Sequence, residues 1–231
     1  KCDSKGIYVY DFDSNTGHFS FKNATESVIN PSFLTVSADS KYIYAVNENG
    51  DKSMVSSFTY APSTGKMDFI NKQSAQGADP CYIINDDTNV IVANYSSGNI
   101  SVFGKNNDGS ITEAKQVIQN YGNANNPNKK QVPHAHQVYF SPDKKYVLGN
   151  DLGIDKVFTY AYNPNSTDEI LKKKDSISVK PGSGPRHLTF SKNGKFVYLL
   201  QEIDGTVTAF KYSDGTLKTI QETSVVSKDF T

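Results

Sequence analysis

The chain has 231 residues, enough for a sizeable core, with Lys+Arg and Asp+Glu equal at 24 each. That balance gives no net field towards nucleic acid or an anionic membrane surface. No apolar stretch approaches the roughly 18 residues needed to span a bilayer. The two cysteines, Cys2 and Cys81, sit too far apart in sequence for a disulfide framework or a metal-ligand spacing. A reducing, cytoplasmic setting is therefore expected, and a leader ahead of Lys1 is left open.

Taken in chain order, the first signals are two short strands, residues 6–10 and the stretch around Thr16-Gly17-His18-Phe19. A unit of about fifty residues then recurs four times, which is the signature of a repeat architecture. The copies start at Pro31-Ser32-Phe33-Leu34, Pro80-Cys81-Tyr82-Ile83, Pro133-His134-Ala135-His136 and Pro185-Arg186-His187-Leu188, spaced 49, 53 and 52 residues apart. In the first copy, Phe33 to Val36 is a short apolar run ended by the turn Ala38-Asp39-Ser40. Tyr42 to Val46 is a nearly continuous apolar run, as expected of a strand buried on both faces. Met54 to Tyr60 alternates with period two, and Met67 to Ile70 forms a fourth, more polar strand. The second strand returns as Val90 to Ala93, Tyr146 to Gly149 and Phe196 to Leu200, and the third as residues 100–103, 157–160 and 207–212. No helical period separates the strands, and the pattern argues against parallel βαβ units.

The fold expected is all-β: a β-propeller of four-stranded antiparallel blades. The first two strands match only the outer half of a unit, and nothing after Ser224 supplies the inner half. A parent domain of seven blades is expected, with this chain covering about four and a half. The organisation is a single domain over residues 1–231: a partial blade at 1–29, then blades at 30–77, 78–131, 132–183 and 184–231.

In a blade the start of the first strand and the end of the second reach the same mouth of the central channel. The residues that follow the repeat proline are Ser32, Cys81, His134 and Arg186. Those that end the second strand are Asn47-Glu48, Asn94-Tyr95, Asn150-Asp151 and Gln201-Glu202. On this alignment His136 replaces the aliphatics Leu34, Ile83 and Leu188, and His187 falls at the position of Phe33, Tyr82 and Ala135, where it is expected to pack between blades. Two histidines at i and i+2 share a strand face, where imidazole can act as a base or be satisfied by a neighbouring carbonyl. Arg186 stands in a chain that otherwise uses lysine; its planar fork suits phosphate or carboxylate, or a structural pair with Glu202 or Asp151. The catalytic candidates are His134, His136, Arg186 and Glu202. The substrate-binding candidates are Arg186, Asn94, Asn150 and Asp151. His134 and His136 have no evident third ligand, so no metal and no cofactor is expected; a calcium reading would need Glu48, Asn94 and Asn150 to converge. His18, the Lys172-Lys173-Lys174 run and the sequons at Asn23, Asn94, Asn99 and Asn165 receive no role.

Several motifs carry a family resemblance. They are Ala78-Asp79-Pro80-Cys81-Tyr82, Val92-Ala93-Asn94-Tyr95 with Gly98-Asn99, Pro133-His134-Ala135-His136, Phe140-Ser141-Pro142-Asp143 and Gly182-Ser183-Gly184-Pro185-Arg186-His187-Leu188. Together with Ser4 to Tyr10 they resemble the seven-bladed β-propeller lactonase family, which includes propeller-type 6-phosphogluconolactonases and carboxy-muconate cycloisomerases. The resemblance implies a site of histidine, arginine and glutamate on adjacent blades, falling on His134 or His136, on Arg186 and on Glu202. It implies hydrolysis of a small-molecule sugar lactone, 6-phosphogluconolactone foremost, with neither nucleic acid nor membrane as partner. A lactonising cycloisomerase and a non-catalytic binding platform are the alternatives, because one scaffold hosts several functions.

Overall fold

The computed structural model describes residues 4–26, 28–122 and 132–227; Cys2 lies outside them. Strands β1 (Gly6–Asp13) and β2 (His18–Glu26) pair as a two-stranded antiparallel sheet. Four four-stranded sheets follow, each in simple sequential antiparallel order. They are β3 (Pro31–Val36), β4 (Tyr42–Asn47), β5 (Met54–Ala61) and β6 (Lys66–Ser74); then β7 (Pro80–Asn85), β8 (Asn89–Asn94), β9 (Asn99–Lys105) and β10 (Ile111–Gln119). The third sheet holds β11 (Ala135–Phe140), β12 (Tyr146–Asp151), β13 (Lys156–Tyr162) and β14 (Leu171–Ser178). The fourth holds β15 (Pro185–Phe190), β16 (Phe196–Gln201), β17 (Thr206–Ser213) and β18 (Thr216–Ser224). The first strands β3, β7, β11 and β15 contact one another in succession. The sheets are therefore blades fanned about a common axis.

Packing between blades explains the unbroken apolar runs. Val90 and Val92 of β8 pack with Tyr44 and Val46 on one side, while Ile91 and Ala93 pack with Val138 and Val147 on the other. Leu148 faces Val197, Leu199 and Phe210 of the fourth blade. Alternate residues of one strand thus serve two cores, and neither face is free to be polar. Each such side chain contributes roughly 1.5–3 kcal/mol by leaving water. The outermost strands lack a second core, so β14 and β18 are mostly exposed. Lys173 and Lys174, expected only to be solvated, instead cover Phe158 and Tyr146, their ammonium groups 4.5 and 4.4 Å from the ring centres.

One turn recurs in three blades and fixes the register between them. Ser37, Ser141 and Ser191 each donate from Oγ to Asp39, Asp143 or Asn193 two residues on, at 2.7, 2.7 and 2.8 Å. The same oxygens accept the N–H of Tyr42, Tyr146 and Phe196, each at 3.0 Å. Ten residues beyond these serines lie Asn47, Asp151 and Gln201. The strand pairing agrees: Pro31 faces Asn47, Pro80 faces Asn94 and Pro185 faces Gln201, whereas Ala135 faces Asp151. Ala135, not Pro133, is therefore the third blade's counterpart of the repeat proline.

This corrects the sequence alignment of that blade by two residues. His136 is the equivalent of Ser32, Cys81 and Arg186, not of the core aliphatics, whose place Val138 takes. Gln137, not Ala135, corresponds to His187. His134 corresponds to Asn30, Asp79 and Gly184, which all have positive φ (41°, 51° and 69°), a region that Asn, Asp and Gly tolerate. Proline marks a strand's first residue only because no ladder N–H is needed there. Alanine satisfies the same position, and Pro133 sits in the connection ahead of it.

Candidate active site

With the register corrected, the odd residues come together. The second residues of β7, β11 and β15 and the residues after β4, β8 and β16 converge at one channel mouth. There Cys81, His136 and Arg186 meet Glu48, Tyr95 and Glu202, with Asp79 alongside, around a cleft of about 220 Å³. A larger cavity of about 540 Å³ lies against the first blade, lined by Val28, Ile29, Met54, Phe58 and Phe69 among others. Glu26, Lys52 and Lys72 also line it, but no histidine does; His136 lies at the smaller cleft.

His136 is only 6 % exposed, and its Nδ1 is buried without a hydrogen-bond partner. Burial first, then the charge of Arg186 and the nearby His187, lower its pKa to about 4. The imidazole is thus neutral across the physiological range, with Nε2 the ring nitrogen left for the cleft. His187 stands edge-on to it at 5.1 Å between ring centres and is itself held below the usual imidazole range by burial and Arg186.

Arg186, the only arginine in the chain, forms an ion pair with Glu202, the residue just after the next strand of its blade. Both side chains remain about 40 % exposed, at 39 and 41 %. Asn150 and Gln137 anchor the strand beneath: Asn150 Nδ2 donates to the Arg186 carbonyl at 3.0 Å, and Gln137 Oε1 accepts the Leu188 N–H at 2.6 Å. The third blade in this way sets the position of the fourth blade's arginine.

Cys81 donates from Sγ to the His136 carbonyl at 3.3 Å. Burial, then Glu48, pushes its thiol pKa up to about 12, so it is a packing group and a poor nucleophile. Asp79 is committed to structure, accepting from the Gly50 N–H at 2.8 Å and the Ser96 hydroxyl at 2.6 Å.

Four of the expected site residues do not line the cleft. Asn94 is fully buried and donates to the Ser101 hydroxyl of its own blade and to the Ala75 carbonyl in the connection after β6. Asn150 is spent on Arg186 and on Gln137, as described, and its Oδ1 is buried. Asp151 is fully buried and accepts from Asn120 Nδ2 and from the N–H groups of His134, Gly153 and Ile154. Burial raises its pKa despite these bonds. His134 lies behind Tyr95, stacked on its ring at 4.5 Å, with Nδ1 3.0 Å from the Tyr95 carbonyl. Polar residues at strand ends were read as ligand groups; here they satisfy buried backbone instead. Glu48, Asn94 and Asn150 do not converge, so they form no calcium cage, and the described residues contain no cluster of three or more His, Cys, Asp or Glu suited to a metal. Among the described residues, no helix is long and apolar enough to cross a membrane.

A family model for lactonases with a seven-bladed β-propeller matches residues 1–231. The chain belongs to that family. The curated 6-phosphogluconolactonase of Bacillus subtilis is 31% identical over 99% of this chain, which spans 65% of that protein's length. The crystal structure of a Bacteroides fragilis protein superposes with a TM-score of 0.94 at 41% identity, covering 99% of this chain and 66% of that one. The periplasmic gluconolactonase of Pseudomonas aeruginosa superposes with a TM-score of 0.91 at 33% identity, over 100% of this chain and 67% of its own. Within the family fold, His136 of the third blade meets Arg186 and Glu202 of the fourth at one cleft.

Proposed function

We propose that this chain carries part of the active site of a sugar-lactone hydrolase, with 6-phosphogluconolactone as the foremost substrate. The observation that carries the reading is a neutral, buried His136 opening onto a cleft beside the Arg186–Glu202 pair. Relatives named for lactone hydrolysis share the fold and 31% to 33% of the sequence.

In this reading a water in the cleft attacks the lactone carbonyl carbon and gives a proton to His136 Nε2. The carbonyl electron pair moves to oxygen, and the resulting anion is stabilised by nearby donors. Collapse restores the carbonyl, breaks the ring C–O bond, and returns the proton from His136 to the leaving alkoxide. Arg186 holds anionic groups of the substrate through the guanidinium donors that Glu202 leaves free, and Glu202 holds the guanidinium in place.

The base works only when unprotonated. With the His136 pKa lowered to about 4, activity is present above that pH and lost as pH falls through it. The profile of kcat/KM against pH for the full-length enzyme, which reports free-enzyme groups, is expected to show its acid limb near pH 4. An acid limb in the ordinary imidazole range, near 6.5, contradicts the assignment.

A further inference from the structure

Tyr95 directly follows β8, at the position occupied by Glu48, Leu152 and Glu202 in the other blades. It is the one aromatic residue of the four, and it lines the cleft. Its placement is tightly held. The Tyr95 N–H donates to the Asp79 carbonyl at 2.9 Å. Its ring lies flat on His134, 15° from parallel, and meets His136 edge-on at 5.7 Å and 86°. His134 is fixed in turn: its ring Nδ1 sits 3.0 Å from the Tyr95 carbonyl, and its backbone N–H donates at 2.8 Å to the buried Asp151. A buried carboxylate, a histidine and a tyrosine thus form a continuous support that ends in the cleft.

Of the other donors of the cleft, one is spent and one is shared between Glu202 and the anionic groups of the substrate. The Cys81 thiol is given to the His136 carbonyl, and Arg186 is drawn to Glu202. The Tyr95 hydroxyl is not buried and has no hydrogen-bond partner among the described residues. Burial and the Glu202 carboxylate hold this phenol above its ordinary pKa, so it keeps its proton at neutral pH.

We propose that Tyr95 is a catalytic residue whose O–H donates a hydrogen bond to the lactone oxygen that gains negative charge, and that His134 is a positioning residue acting through Tyr95. The inference rests on the lactonase reading and adds a donor to it. Tyr95 retains its proton throughout; the proton of the attacking water travels through His136 alone. It also accounts for His134, which the sequence marks beside His136 yet the fold sets behind the cleft wall.

The test is steady-state kinetics of full-length variants on freshly prepared lactone, with thermal unfolding followed in parallel. Tyr95→Phe keeps the stacked ring and removes only the hydroxyl. It is expected to lower kcat by about 10²-fold, in the range seen for lost oxyanion donors, with KM little changed. His134→Ala is expected to lower kcat in the same direction, and His134→Phe, which preserves the stack, to restore most of it. In the Tyr95→Phe background, His134→Ala should cost almost nothing more, because residues acting as one unit are not additive. Unchanged kcat in Tyr95→Phe, or losses from the two positions that multiply, overturns the inference while the lactonase reading stands. A wild-type protein without turnover removes the lactonase reading and this inference with it.

Discussion

Replacing His136 by alanine in the full-length protein is expected to lower kcat for lactone hydrolysis by about 10²–10⁴-fold, the usual contribution of a positioned general base. KM should change far less if, as proposed, the imidazole acts on the attacking water. Stability at neutral pH should be nearly unaffected. The ring carries a buried Nδ1 with no partner, so its removal relieves an unsatisfied polar atom as it opens a small void. Residues kept for chemistry at a local cost to stability behave in this way. The check is turnover and unfolding midpoint measured on the same preparation. A variant that turns over like the wild type removes His136 from the mechanism. A variant that loses activity only because it unfolds turns His136 into a packing residue.

Arg186→Lys separates the two substrate classes. A guanidinium offers five donors in a fixed plane, so it can remain paired with Glu202 and still engage an anion; an ammonium offers a single compact charge. Glu202 competes directly for that charge in the cleft. The substitution is therefore expected to raise KM for the phosphorylated lactone by about tenfold, the worth of roughly 1.4 kcal/mol. The unphosphorylated lactone should lose much less. Parallel titrations of both substrates provide the check. Equal effects on the two transfer Arg186 from phosphate recognition to the carbonyl or to the ion pair alone.

The four-stranded repeat was legible in the sequence because packing between blades leaves a plain trace: β8 and β12 are apolar along both faces. The channel mouth was legible too, since only chain direction is needed to bring the start of one strand beside the end of the next. The register of the third blade was not. Prolines suggested one alignment, and the Ser141 turn, ten residues ahead of Asp151, dictates another. Counting from those serines in the sequence would have moved His136 beside Arg186.

The binding residues were harder. Asn94, Asn150 and Asp151 are the residue types that a sugar site uses, and also those that a blade uses to close its buried backbone. Only coordinates separate the two uses. Tyr95 stood in the sequence beside Glu48, Asp151 and Glu202 at the second-strand ends without being singled out, and its partner His134 lies 39 residues away. Their stacking arises from the approach of two blades, which no local pattern encodes.

The central claim is that this cleft opens sugar lactones. Its most direct test is the ring opening of freshly prepared 6-phosphogluconolactone by the full-length wild-type protein, measured against the spontaneous reaction in the same buffer. The account predicts a first-order dependence of the added rate on enzyme concentration, saturating with substrate. A progress curve that superposes on the spontaneous one at every enzyme concentration, with the unphosphorylated lactone behaving alike, contradicts it.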